Sequence, residues 1–171
     1  QILYMLPEIA LTTQLISRLQ KYFGEKIAVY HSRYSMNERV EVWSHVLHKK
    51  PKAQIVIGAR SSLFLPFQNL GLVIIDEEHE PSFKQYNPAP RYHARDSAIV
   101  LANLHNAKVV LGSATPSLET YYNAVHDKYA LVTLKERFGK LQLPDIELVD
   151  IRDKLKRRFM TGHFSDRLLE E

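Results

Sequence analysis

The sequence predicts an α/β fold, a parallel sheet with helices on both faces. Two observations predict it. Short apolar runs alternate with longer stretches of helical period along most of the chain. Polar clusters follow each of the first five runs: Pro7-Glu8, His31-Ser32, Gly58–Ser62, Asp76–His79 and Gly112–Thr115. In a parallel sheet the strand ends share one edge, and ligands bind there.

The elements follow in order. Ile2–Leu6 reads as a strand stopped by Pro7. From Ile9 to Phe23 the apolar residues Ile9, Leu15, Ile16, Leu19 and Phe23 keep helical spacing, and Gly24 closes the helix. Lys26–Tyr30 is a second strand. Ser35 with Glu38 forms a capping-box signature for a helix to about His48, with Met36, Val40, Trp43, Val46 and Leu47 on one face. Ala53–Ile57 and Gly71–Ile75 are the third and fourth strands, and His93–Asn106 is a helix. Ala107–Leu111 is the fifth strand, and Pro116–Val125 a helix with proline in its first turn. Tyr129–Leu134 reads as a sixth strand. After Phe138 the pattern weakens. Leu143-Pro144-Asp145 suggests a turn, Ile146–Val149 a strand, Lys154–Arg158 a basic run and Ser165 the start of a helix. Residues 1–138 are therefore expected to form one lobe, and 139–171 a linker with the start of another.

Composition narrows the class. Of 171 residues, 45% are hydrophobic and 25% charged, a globular balance. No apolar run approaches the roughly 20 residues of a membrane span, and no signal peptide is visible, so no membrane partner is expected. There is no cysteine, which removes disulfides and cysteine-ligated zinc from this chain and fits a reducing compartment; the expected location is the cytoplasm. The 8 histidines show no metal-ligand spacing. The net charge of +4 permits a polyanionic partner without requiring one.

The most informative stretch is Val73-Ile74-Ile75-Asp76-Glu77-Glu78-His79. Acids at the end of a buried strand suit nucleotide hydrolysis: one carboxylate holds magnesium through water, and the next positions the attacking water. The plainer reading is a solvated acidic turn. Gly112-Ser113-Ala114-Thr115-Pro116 follows the fifth strand, and its hydroxyls can bond the acidic cluster or simply cap the next helix. Pro81–Tyr92 interleaves Phe83, Tyr86 and Tyr92 with Lys84 and Arg91, a mixture that suits base stacking and phosphate attraction, or that packs the loop onto the domain.

Taken together, Asp76–His79 and Gly112–Pro116 resemble motifs II and III of superfamily 2 helicases. Leu6–Thr12 resembles motif Ia and Ile57–Phe64 motif Ib. More narrowly, Leu6 to Pro116 is similar to the bacterial replication restart helicases, in Pro7-Glu8-Ile9, His31-Ser32, Arg60–Phe67, Lys84-Gln85 and Arg91–Asp96. Arg33, Ala59 and the turn Tyr86–Pro90 depart from the residues frequent there.

The resemblance implies a RecA-like lobe and an ATP- and Mg2+-dependent motor with 3′-to-5′ polarity at stalled forks. Asp76 would be the magnesium-linked carboxylate and Glu77 the water-positioning base. Glu78, His79, Ser113 and Thr115 would couple the nucleotide and DNA sites. Pro7, Thr12, Arg60, Ser61, Phe83, Lys84, Tyr86, Arg91 and Tyr92 would face DNA. Single-stranded and forked DNA, primosome proteins and single-strand-binding protein are the implied partners, in a bacterial, nucleoid-associated setting. No G-x-x-x-x-G-K-[ST] occurs. The expectation is thus an excised piece whose P-loop lies upstream, with the second lobe and zinc-binding cysteines (Zn2+ in the full protein) downstream. Strands supplied from upstream are expected at the centre of the sheet. A RecG-like or RNA-directed motor, or a catalytically inactive nucleic-acid-binding module, are the alternative readings.

Overall fold

The computed structural model describes residues 1–10, 12–136 and 145–170. They divide into two units, 1–130 and 131–171. The expected boundary at Phe138 lies outside the described residues.

The first unit holds five parallel strands, β1 Ile2–Met5, β2 Ile27–Tyr30, β3 Ile55–Gly58, β4 Leu72–Ile75 and β5 Lys108–Leu111, in the order β2-β3-β1-β4-β5. β1 lies at the centre, with Leu3 opposite Val56 of β3 and Val73 of β4. Its neighbours come from distant parts of the chain, as helical crossovers between parallel strands demand. The pairing is continuous, so no gap awaits a strand at the centre; the open positions are the outer edges of β2 and β5.

Alternate residues of the strands feed two cores. Leu3, Met5, Val56, Val73 and Ile75 pack on one face with Val46 of α2 (Met36–Leu47) and with Ala94, Ala98 and Ala102 of α3 (Ala94–Leu104). The three alanines let α3 approach the sheet closely. On the other face Ile57, Ala59, Tyr4, Ile27 and Val29 meet Leu15, Ile16 and Leu19 of α1 (Thr13–Phe23).

Local chemistry sets most boundaries. Thr12 caps α1 by accepting from the Leu15 amide, so the helix starts later than its apolar period suggests. Gly24 ends it with φ 59°, a left-handed position that suits glycine. Ser35 and Glu38 form the expected capping box of α2. The face expected to be apolar on α2 is turned partly outward, with Met36 and Val40 exposed and Val42 and Val46 packed inward. The reason is the small edge strand beneath, which offers Ala28 and Tyr30, while Arg39 reaches across to the Tyr30 hydroxyl at 3.3 Å. Pro116 stands outside α4 (Leu118–Val125), because Ser117 takes the cap.

Residues 129–134 form no strand. No partner strand lies beside them among the described residues, and Leu131, Val132 and Leu134 are exposed. In the second unit, residues 145–150 likewise lack regular structure, against the expected strand at 146–149. The turn at 143–145 lies mostly outside the described residues. Lys154–Lys156 of the basic run end a helix, α5 (Ile151–Lys156), with Arg157 as its C-cap, and Lys154 pairs with Asp166 at 2.7 Å. A hairpin of β6 (Met160–Thr161) and β7 (Phe164–Ser165) leads into α6 (Asp166–Leu169), which Ser165 caps as expected.

Gly58 ends β3 where space is tightest. A Cβ there would lie 2.6 Å from the Ser62 Cβ and 2.8 Å from the Tyr30 carbonyl oxygen. Gly58→Ala should therefore lower stability by about 1–3 kcal/mol, read as a drop in the urea midpoint at constant m-value; an unchanged midpoint would show that the β3 turn yields without cost.

Candidate functional site

All five strands of the sheet are parallel, so their polar C-terminal clusters do reach one edge. Ser32 after β2 donates to Glu8 after β1 at 2.9 Å. The acidic turn 76–79 follows β4 and is tied on both sides. The Asp76 amide donates to the Met5 carbonyl, and the Glu78 amide to the Gly112 carbonyl, each at 3.0 Å.

Within the turn the four side chains have different surroundings. Asp76 Oδ1 accepts from the Glu77 amide at 3.1 Å, and Oδ2 from the Tyr4 hydroxyl at 2.9 Å. Burial first, and then the Asp76 carboxylate, push the Tyr4 phenol well above its usual range. Glu77 is exposed and holds φ 50°. For a residue with a Cβ the left-handed region costs on the order of 1–2 kcal/mol, so other contacts must hold it there. His79 lies between the fourth and fifth strand ends, with Nδ1 2.7 Å from Ser113 Oγ and Nε2 3.4 Å from Thr115 Oγ1. The Glu77 carboxylate lies 3.7 Å from the same Nδ1. Ser113 also accepts from the Thr115 amide at 3.0 Å, which shapes the 112–116 turn.

Glu78 differs from its neighbours. It is 1% exposed, and its carboxylate accepts from the Ser117 amide (2.7 Å), Arg95 (2.9 Å) and the Thr120 hydroxyl (2.9 Å). Burial alone would push the carboxyl up; the Ser117 amide, Arg95 and Thr120 outweigh it and hold the group below the usual carboxylate range. Arg95, Ser117, Thr120 and Tyr4 are the residues that sequence reasoning missed. The available signals were Ser117-x-x-Thr120 directly after Pro116, a helix-cap pattern, and, for Arg95, its place within the Arg91–Asp96 stretch.

The residues expected to face DNA separate into groups. Arg60 donates to the carbonyls of Ser82 (3.3 Å) and Lys84 (2.9 Å), and the Lys84 ammonium to the Arg91 carbonyl (2.6 Å). These cations brace the loop from within. Phe83 is 1% exposed and packs in the core, so its ring offers no face to a base; packing decides for that residue. Pro7 is buried too, and with Leu6, Glu8, Ala59, Arg60, Ser82 and Phe83 it lines a small open cavity. Tyr92 is partly buried and meets the Phe64 ring edge-on at 5.0 Å. Ser61 is partly buried beside Arg60, whereas Thr12, Tyr86 and Arg91 are exposed. His93 closes the loop by a bridge to Lys84, and burial keeps its imidazole below the usual range.

Among the described residues no cluster of three or more His, Asp, Glu or Cys is placed to hold a metal. The carboxylates of Asp76 and Glu77 stand at the sheet edge, and magnesium typically keeps most of its water and takes one or two carboxylates together with substrate phosphates. No helix among the described residues is long and apolar enough to cross a membrane.

The chain is similar to the Replication restart protein PriA of Bacillus subtilis, 46% identical over 167 residues, or 98% of this chain and 20% of that protein. The PriA of Rickettsia felis is 49% identical over 158 residues, 92% of this chain and 24% of the relative. That of Chlamydia trachomatis is 38% identical over 168 residues, 98% of this chain and 22% of the relative. The chain thus spans about a fifth to a quarter of the length of these curated relatives. Residues 1–124, which hold the five-stranded sheet, the acidic turn and the 112–116 turn, match the DEAD/DEAH box helicase family, and the chain belongs to that family.

Proposed function

We propose that this chain is part of the first motor lobe of an ATP-dependent DNA helicase that acts in replication restart, moving 3′ to 5′ on single-stranded DNA at stalled forks. The observation that carries the reading is the acidic turn at the sheet edge, with His79 joined to Ser113 and Thr115 across the fourth and fifth strand ends. The similarity to PriA proteins supports the replication restart context.

In this reading Asp76 holds Mg2+ through water, and bound Mg2+ supplies charge neutralisation at the phosphates. Glu77 orients the attacking water and takes its proton. His79, Ser113 and Thr115 relay the occupancy of the nucleotide site, and Glu78 fixes the turn they share. Thr12, Ser61, Tyr86, Arg91 and Tyr92 meet single-stranded DNA, by phosphate contact or stacking. Arg60 and Lys84 shape the loop that presents them. Primosome proteins and single-strand-binding protein are the proposed partners, zinc is expected elsewhere in the full-length protein, and the bacterial cytoplasm is the proposed location.

The test compares the 171-residue chain with the full-length polypeptide that carries it. The chain alone should show negligible ATP hydrolysis, since it holds no P-loop motif. The full-length protein should hydrolyse ATP with stimulation by single-stranded DNA. No hydrolysis by the full-length protein would leave the inactive binding module as the better reading. Stimulation by RNA rather than DNA would favour the RNA-directed motor.

A further inference from the structure

Glu78 turns inward while Asp76, Glu77 and His79 stay at the sheet edge. Its partners come from two helices that are remote in sequence. Arg95 lies in the first turn of α3, 8% exposed, and its guanidinium is held from a second side by Asp96 at 2.8 Å. Ser117 and Thr120 lie at the start of α4, and Arg95 also donates to the Ser117 hydroxyl at 2.7 Å. Every oxygen of the Glu78 carboxylate is thus engaged, and the pair is buried where a displaced charge has no water to turn to.

This cluster sits one residue from Glu77, whose backbone holds φ 50°. A left-handed residue with a Cβ persists where its surroundings over-determine it. The Glu78 amide bond to Gly112 and the Glu78 carboxylate in the cluster are the anchors on the far side of that residue. Neighbouring Asp76 is anchored separately, through Met5 and Tyr4. The Glu77 backbone, whose amide donates to Asp76 and whose carbonyl accepts from the Glu80 amide at 2.8 Å, runs between these two anchored neighbours. The carboxylate anchor of the second is built by the Ser117 amide, Thr120 and Arg95, with Arg95 supplying the counter-charge.

We propose that Arg95 is a positioning residue for the acidic turn: through Glu78 it holds the left-handed backbone of Glu77, and so the carboxylates of Asp76 and Glu77, in the geometry that hydrolysis requires. The proposal rests on the reading of Asp76 and Glu77 as the hydrolytic pair. Arg95 itself touches no substrate. Its effect belongs in turnover and in the local order of the turn, not in ATP affinity.

The experiment uses the full-length protein, with amide hydrogen exchange over residues 76–80 and steady-state ATP hydrolysis measured on Arg95→Met, Arg95→Lys and Thr120→Val. Arg95→Met should speed exchange in the turn by about tenfold. It should lower kcat by about 100-fold with KM for ATP within about twofold, the size expected when catalytic groups are misplaced by an ångström. Arg95→Lys keeps the charge and should recover part of both losses. Wild-type exchange and kcat in a folded Arg95→Met protein would overturn the proposal, as would a lowered Tm with kcat intact. If Arg95→Met does not fold, Thr120→Val decides. It removes one donor from Glu78, and should lower kcat by about tenfold with unchanged KM; an unaltered kcat sinks the idea. If the wild-type protein hydrolyses no ATP, the hydrolytic reading fails, and the exchange measurement alone then decides whether Arg95 orders the turn.

Discussion

Glu77→Gln in the full-length protein is expected to bind ATP with near-normal affinity and to lose turnover by about 10²–10⁴-fold, the usual contribution of a positioned general base. The change is nearly isosteric. It keeps the turn, because the Glu77 amide still donates to Asp76 and the carboxylate is exposed, with no close hydrogen bond that the fold requires. What it removes is the ability to accept a proton from water beside the phosphate. Nucleotide binding measured with a fluorescent ATP analogue, together with kcat in the presence of single-stranded DNA, separates the two effects. Turnover at the wild-type rate would refute the assignment of Glu77 as the base.

Glu78→Ala should instead act on the fold. Glu78 is 1% exposed and Arg95 8% exposed, and the carboxylate is the acceptor shared by α3 and α4. Truncation leaves a buried guanidinium without its main counter-charge and removes a partner from the Ser117 amide and the Thr120 hydroxyl. Breaking a buried pair in this way costs about 3–5 kcal/mol. Asp96 remains bonded to Arg95 Nε, which argues for the lower end of that range. Urea denaturation of wild type and variant reads the difference directly. A loss below about 1 kcal/mol, the size seen for solvated pairs, would show that water enters the cluster. The contrast between adjacent glutamates is sharp: one is expected to govern rate with little effect on stability, and the other stability first.

Much of the architecture was legible because it rests on local patterns. The capping box of α2 is two side chains three residues apart, and the closing glycine of α1 is one residue with a left-handed φ. The five strands and their polar ends followed from apolar runs and punctuation, and parallel pairing then brings the ends together. The sixth strand failed because a run such as Tyr129–Leu134 becomes a strand only beside a partner, and propensity does not report partners. The outward face of α2 failed similarly. Its period was right, but the narrow edge strand beneath decided which side could pack.

The candidate site shows the same division. Asp76, Glu77, His79, Ser113 and Thr115 were legible as residue types at strand ends, and the fold joins the histidine to both hydroxyls. Phe83 read as a stacking residue from composition, yet burial assigns it to the core. Arg60 and Lys84 read as phosphate contacts, yet both spend donors on loop carbonyls. A sequence shows that a cation is present and not which acceptor is nearest.

By itself the sequence determined the α/β alternation, the common edge for the polar clusters, the acids at the end of the fourth strand and the family those motifs resemble. These depend on periodicity and on the order of residue types, which are local quantities. Only the tertiary structure decided that Glu78 is buried against Arg95, Ser117 and Thr120, that Tyr4 bonds Asp76, and that Phe83 fills the core. Those pairs lie between 17 and 72 residues apart in the chain, and a contact of that kind exists only after the strands and helices have packed.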